Sequence, residues 1–423
     1  MKTGCAKTAA LIGRTSHRHS LLCFIDSRHR GGAEENLLSL ATGLSRRGWT
    51  CEVSIPAPGP LAEQSSSGLT GVIAELTTAG ITVHRHRHLD DGIPLLGIRG
   101  MRILLHCLAY FAARRPAVIH FVLPRVDSSR LPILAAALLR IPFVLSFRLA
   151  EDRMIPPFNR KLYRWLASKH SVWLALSSHN RSLLARIFHL PQERLRIVCN
   201  GIDVGRFRSV AARREQARKD LLAELGLAQR TTLVVGVGRI EERKGFPYFV
   251  AAIPAVVTAN PDAVFVWAGE VAGQTRGLQQ GLAGGVDGLI RYHQTAESLW
   301  LHRPCLRLLG RRTDVAEILA AADVFVLPSL VEGQPRALLE AMAAGLPCVV
   351  ADASGLAEII THERDGLLVP PLDCEELAAA INRVLADRTL ARNLGSSAAA
   401  RVKEFDLPIM LERMEEVYGE LLR

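Results

Sequence analysis

The chain has 423 residues, 49% of them hydrophobic and 22% charged. That balance builds buried cores and excludes a disordered, collagenous or coiled-coil architecture. Lys and Arg outnumber Asp and Glu by 52 to 41, and unevenly: residues 1–205 hold 27 basic against 13 acidic side chains, residues 206–423 hold 25 against 28.

At about 100–200 residues per domain, two or three domains are expected. The basic first half calls for an anionic partner: nucleic acid, a membrane surface or a phosphorylated substrate. Aromatic residues make up only 5% of the chain, which leaves few stacking platforms, and no nucleic-acid-binding motif is present, so no nucleic acid is expected. No apolar stretch approaches the ~20 residues of a membrane-spanning helix. The apolar run 9–12 is too short for a signal peptide, so a cytoplasmic protein is expected. Eight cysteines are scattered without a C-x-x-C and are read as reduced and structural.

Short β-branched runs alternate with helical patterns along the chain. Strands are expected at 20–26, 50–55, 117–122, 142–146 and 172–176, with a helix over 33–47 closed by Gly48. Residues 204–230 read as charged and helical. A second series of strands follows at 231–237, 264–268, 306–309, 324–328, 348–351 and 366–369. Such alternation predicts parallel sheets with helices on both faces. The expected organisation is a tail at 1–19, doubly wound domains at 20–205 and 206–405, and a C-terminal amphipathic helix at 406–423 that can cross back to the first domain. Residues 274–303 read as a variable insertion.

Three segments carry chemistry. Gly31-Gly32 follows the first strand and opens a helix, where bare backbone and helix dipole suit a phosphate. Arg239 and Lys244 follow the first strand of the second domain, where open α/β sheets bind ligands, and two cations there suit a diphosphate. The segment 332–340, EGQPRALLE, places Glu332 and Gly333 just before a helix and Glu340 inside it; Pro335 suits its first position. Two carboxylates flanking a helix N-terminus can grip both ends of a diphosphate-bridged ligand, whose phosphates face that terminus. His84, His86 and His88 alternate with arginines and would share one strand face, yet no acidic or thiol partner completes a metal site. No Asp-x-Asp occurs, so no carboxylate-held cation and no cofactor are expected.

Together with Asn200-Gly201-Ile202-Asp203, Leu309-Gly310 and Ala322-Asp323-Val324, these segments resemble the retaining glycosyltransferases of family 4 over about residues 20–420. The resemblance implies an α/β GT-B fold, two Rossmann-like doubly wound domains whose parallel sheets face across a cleft. It implies transfer of a sugar, with retention and without a metal, from a UDP- or GDP-sugar donor to an acceptor hydroxyl in cell-surface polysaccharide or glycolipid synthesis. Gly31 and Gly32 would approach the donor diphosphate, Arg239 and Lys244 would hold it, and Leu338 and Leu339 would offer it backbone N–H groups. Glu332 would touch the donor sugar and Glu340 the ribose hydroxyls. Arg148 stands where the family often has a His near the sugar; an Arg cannot act as a base at neutral pH and is read as an acceptor or sugar contact. A sugar-nucleotide epimerase or phosphorylase of the same fold, or a non-enzymatic anion-binding module, are the rival readings. The basic first domain, with charged and apolar residues mixed over 99–115 and 160–169, is expected to sit on the inner face of the cytoplasmic membrane, where a lipid-linked saccharide would be presented.

Overall fold

The structure is a computed structural model that describes residues 19–27, 31–57, 67–86, 97–150, 157–167, 169–270 and 305–423. Residues 1–18 of the expected tail, the insertion at 274–303 and His88 lie outside these residues. The chain divides into two compact units, Met1–Gly201 with Leu407–Arg423, and Ile202–Asp406.

The first unit is built on seven strands: β1 Ser20–Ile25, β2 Thr50–Pro56, β3 Thr82–His86, β4 Val118–Leu123, β5 Phe143–Phe147, β6 Ser171–Ala175 and β7 Leu195–Ile197. They pair in the order β3-β2-β1-β4-β5-β6-β7, all parallel. Successive side chains of β1 enter opposite cores. Leu22 and Phe24 pack with Cys107, Phe111, Tyr163 and Phe188; Leu21, Cys23 and Ile25 pack with Leu37, Val72 and Met414. A strand buried on both faces reads as a continuous apolar run, which is why SLLCFI was legible. Strand β7, with three residues, was not among the expected strands.

The C-terminal helix Leu407–Leu421 belongs to this unit and buries Met410, Leu411, Met414, Val417 and Tyr418. Gly43 and Gly201 let it approach: a Cβ on either would fall within 2.9 Å of Leu411 or Met410 atoms. Glu415 takes hydrogen bonds from Arg47 at 2.7 Å and Trp49 at 3.0 Å. Among the described residues, no helix is long and apolar enough to cross a membrane. Seven cysteines are described and free, and burial pushes the Cys51 and Cys107 thiols up to about 12, leaving poor nucleophiles.

The second unit starts at Ile202, four residues before the expected boundary. The Ile202 N–H donates to the Phe405 carbonyl at 3.1 Å, and Asp203 caps the helix Val204–Ala211, so 202–205 fold with the second unit. Its strands are β8 Thr232–Val237, β9 Ala263–Ala268, β10 Leu306–Gly310, β11 Val324–Leu327, β12 Cys348–Ala351 and β13 Leu367–Val369. They form a parallel sheet in the order β10-β9-β8-β11-β12-β13. Asp323, just before β11, accepts from the Leu233 N–H at 2.8 Å and from Arg214 and Arg218 at 2.8 and 2.9 Å. That bracket ties the helix Arg214–Glu224 to the amino ends of β8 and β11 and gives Ala322-Asp323-Val324 a structural role.

Candidate active site

In the second unit the strand order reverses between β8 and β11, since β9 and β10 lie on one side of β8 and β11 to β13 on the other. Ligands of open α/β sheets bind outside the carboxyl ends of the strands at such a switch point. The two richest sequence segments follow these two strands.

After β8 the chain runs through Gly238, Arg239 and Glu241 into a short turn, Glu242–Lys244, and then Gly245. Gly245 has φ +73°, and a Cβ there would lie 1.8 Å from the Pro328 carbonyl oxygen. Only glycine fits, and its bareness lets the turn press against the end of β11. The Leu330 N–H then donates to the Arg243 carbonyl at 2.9 Å.

This staple brings together side chains 88 positions apart. Lys244 Nζ donates to Glu332 Oε1 at 2.5 Å, with side-chain exposures of 17% and 6%. Arg243 lies 3.9 Å from the other Glu332 oxygen and donates to the Val331 carbonyl at 3.0 Å. Glu241 binds Arg243 at 2.5 Å and Arg239 at 3.3 Å. Three cations thus meet two carboxylates, leaving net positive charge. Arg239, Lys244 and Glu332 were legible in the sequence but Arg243 and Glu241 were not singled out; the run EER at 241–243, between the two named cations, was the available signal.

Buried Gly333 and Gln334 lead to the helix Arg336–Ala343, with Pro335 as its N-cap rather than its first residue. The first turn of a helix has no acceptors within the helix for its N–H groups. The expected pair Leu338 and Leu339 divides on this point: the Leu339 N–H is already directed at the Pro335 carbonyl at 3.4 Å, because it begins the helical ladder. Both leucine side chains are buried and anchor the helix. Glu340, one turn in, faces Arg336 at 3.4 Å.

In the first unit, Gly31 caps the helix Gly32–Arg46, and its N–H donates to Glu34 at 2.7 Å. Among the described residues, no atom beyond its chain neighbours and its own helix stands within 4 Å of a Cβ built on Gly32, and this turn follows β1, which with β4 marks the first unit's switch point. Arg148, just past β5, turns inward: it donates to Asn200 Oδ1 at 2.7 Å, which also accepts from buried Asn36 at 2.9 Å. Beside them lies a small cavity lined by His120, Ser146, Cys199 and Met410. Burial, helped by Arg148, holds the His120 imidazole down to about 3, and its Nδ1 meets the Tyr418 hydroxyl at 2.6 Å.

Of the histidine set, His84 engages Glu52 at 2.7 Å and Arg114 at 3.1 Å. His86 stacks on Phe24 and meets Ser54 at 2.9 Å. Among the described residues no three His, Cys, Asp or Glu side chains cluster as metal ligands would.

Known proteins resemble this chain in sequence and in fold. The profile of the glycosyl transferases group 1 matches residues 231–387, and that of Glycosyltransferase Family 4 matches residues 30–206. The structure of Anabaena HepE in complex with UDP superposes with a TM-score of 0.73, over 95% of this chain and 100% of that one, at 21% identity. The chain belongs to the GT-B glycosyltransferases. The chain is 29% identical over 268 residues to the UDP-Gal:alpha-D-GlcNAc-diphosphoundecaprenol alpha-1,3-galactosyltransferase of Escherichia coli, covering 62% of this chain and 64% of that one. It is 35% identical over 124 residues to the N,N'-diacetylbacillosaminyl-diphospho-undecaprenol alpha-1,3-N-acetylgalactosaminyltransferase of Campylobacter jejuni, 29% of this chain and 33% of that one. The chain thus spans less than two thirds of the length of these curated relatives.

Proposed function

We propose that this glycosyltransferase moves a sugar from a UDP-sugar to a hydroxyl of a lipid-linked saccharide, with retention, in the synthesis of a cell-surface polysaccharide or glycolipid. One observation carries the reading: Lys244 and Glu332 meet at the switch point of the second unit, beside Arg239 and Arg243 and just ahead of a helix N-terminus. A diphosphate arriving there replaces the Glu332 carboxylate as the partner of Lys244 and draws on Arg239. The released Glu332 is then placed to hold the donor sugar, and Glu340 the ribose hydroxyls.

As the bond between the anomeric carbon and the phosphate oxygen breaks, negative charge grows on the leaving diphosphate. Arg239, Lys244 and the first-turn N–H groups of Ala337 and Leu338 stabilise it as donors already in place. The acceptor hydroxyl adds to the same face of the sugar and passes its proton to the leaving phosphate, so no protein base is required. The UDP bound to HepE and the UDP-Gal named for the E. coli relative favour uridine, and the diphosphoundecaprenol acceptors of both curated relatives favour a lipid carrier. The test is transfer from candidate UDP-sugars to a lipid-diphosphate saccharide, with the new linkage read by NMR and a parallel reaction in excess EDTA. Retained configuration and full activity in EDTA are expected. An inverted linkage, or activity lost to chelation and restored by Mn²⁺, overturns the mechanism.

A further inference from the structure

The peptide that leads from β8 into Arg239 is held from inside the core of the second unit. Trp267 lies on β9 directly beside Gly236 of β8 and is fully buried. A Cβ on Gly236 would fall 2.3 Å from the Trp267 ring, so the bare backbone there leaves the space the indole occupies. Phe246 and Phe249, on the helix Phe246–Ala251, close this space edge to face, with ring centroids 5.2 and 4.9 Å from Trp267.

Hydrophobic contact fills such a space, and a phenyl ring would serve for it. The indole adds a donor, and a buried N–H has to find an acceptor. Trp267 Nε1 donates to the Gly238 carbonyl at 2.7 Å. Two features make the orientation of the Gly238–Arg239 peptide depend on that bond. Gly238 has φ +153°, a region open to glycine and closed to most other residues, so steric limits alone do not hold the peptide in place. Gly269, just past β9, admits the carbonyl: a Cβ there would lie 1.8 Å from its oxygen.

Rotation of this peptide carries the Cα–Cβ bond of Arg239 with it. The Arg239 side chain is 40% exposed, and among the described residues Glu241, at 3.3 Å, is its one ion-pair partner. Lys244, by contrast, is 17% exposed and held on Glu332 at 2.5 Å. The backbone therefore sets the direction of Arg239 more than its neighbours do.

We propose that Trp267 is a positioning residue for the nucleotide donor: its indole N–H fixes the Gly238–Arg239 peptide so that the Arg239 guanidinium faces the diphosphate. The proposal rests on the diphosphate grip read above and adds to it a residue that does not touch the ligand.

The test replaces Trp267 in the full chain with 3-benzothienylalanine, which keeps the shape of the indole and puts sulfur in place of the N–H, and titrates UDP by calorimetry. The isostere should bind UDP about 5–10-fold more weakly, within the range for one hydrogen bond. Because Trp267 acts through Arg239, the same replacement in an Arg239→Ala background should cost less than ~2-fold, the non-additivity of two groups that work as one. Trp267→Phe, which also loosens the core, is the second variant and should show the same dependence on Arg239. The isostere at Trp49, whose indole donates to Glu415 at 3.0 Å in the first unit, should leave UDP affinity unchanged. UDP held as tightly by the Trp267 isostere as by the parent, or an equal loss with and without Arg239, overturns the proposal and leaves the grip standing. A parent protein that binds no UDP overturns the grip and this proposal together.

Discussion

Replacing Lys244 with Met removes the ammonium that faces Glu332 and keeps most of the stem's volume. The carboxylate left behind has a side-chain exposure of 6%, and the next cation, Arg243, stands 3.9 Å away. Removing one partner of a buried ion pair costs about 3–5 kcal/mol because the other charge stays desolvated. Arg243 offsets part of this, so ~2–3 kcal/mol is expected for Lys244→Met. At about 2–4 °C per kcal/mol for a unit of this size, the second unit should melt roughly 4–12 °C lower. Glu332→Gln should cost less, about 1 kcal/mol, because the Lys244 stem can turn its ammonium toward water. The double variant should recover at least ~1 kcal/mol of the Lys244→Met loss. Calorimetry on the four proteins gives the cycle. A Lys244→Met protein as stable as its parent, or a double variant no better than it, would refute the account of this pair as a desolvated contact.

The two glutamates should separate in function: Glu340→Gln should weaken binding of free UDP, whereas Glu332→Gln should spare it and slow transfer. Equal affinity losses by calorimetry would show that the roles are not divided in this way. The buried His120 supplies a pH dependence. Its imidazole is held down to about 3, by burial first and Arg148 second, while in the unfolded chain it titrates near ~6.5. Below that pH the unfolded state takes a proton the folded state refuses, so stability falls as pH drops, by about 2 kcal/mol at pH 5. His120→Asn should flatten this slope in denaturant unfolding; unchanged slopes would contradict the assignment.

The legibility of each feature in the sequence depends on what that feature requires. Strands buried on both faces announce themselves as apolar runs, so β1, β4, β8 and β11 were found within a residue or two, and so was three-residue β13, LLV, whereas β7, LRI, has an exposed Arg196 at its centre that breaks the apolar run. Arg239, Lys244 and Glu332 stood out because each follows a strand whose end is a binding position in any doubly wound sheet. Arg243 was missed because its distant partner, the Val331 carbonyl, is set by the contact of Gly245 with Pro328, which no local spacing reveals; only its local partner Glu241 was visible in the sequence. The inward turn of Arg148 depends on Asn200 and Asn36, on two distant elements. The charge excess of the first half was visible as a count. Its confinement to one face needed the topology, which puts the four helices between residues 98 and 188 on one side of the sheet and the first two helices with the C-terminal helix on the other.

The central claim is that the ends of β8 and β11 form a diphosphate grip, and UDP titration followed by calorimetry tests it most directly. UDP is expected to bind the full chain at one site, with Arg239→Ala and Lys244→Met each weakening it at least ~10-fold, within the range for losing a hydrogen bond to a charged group. No measurable binding of UDP, or equal affinity in the parent and both variants, would contradict it.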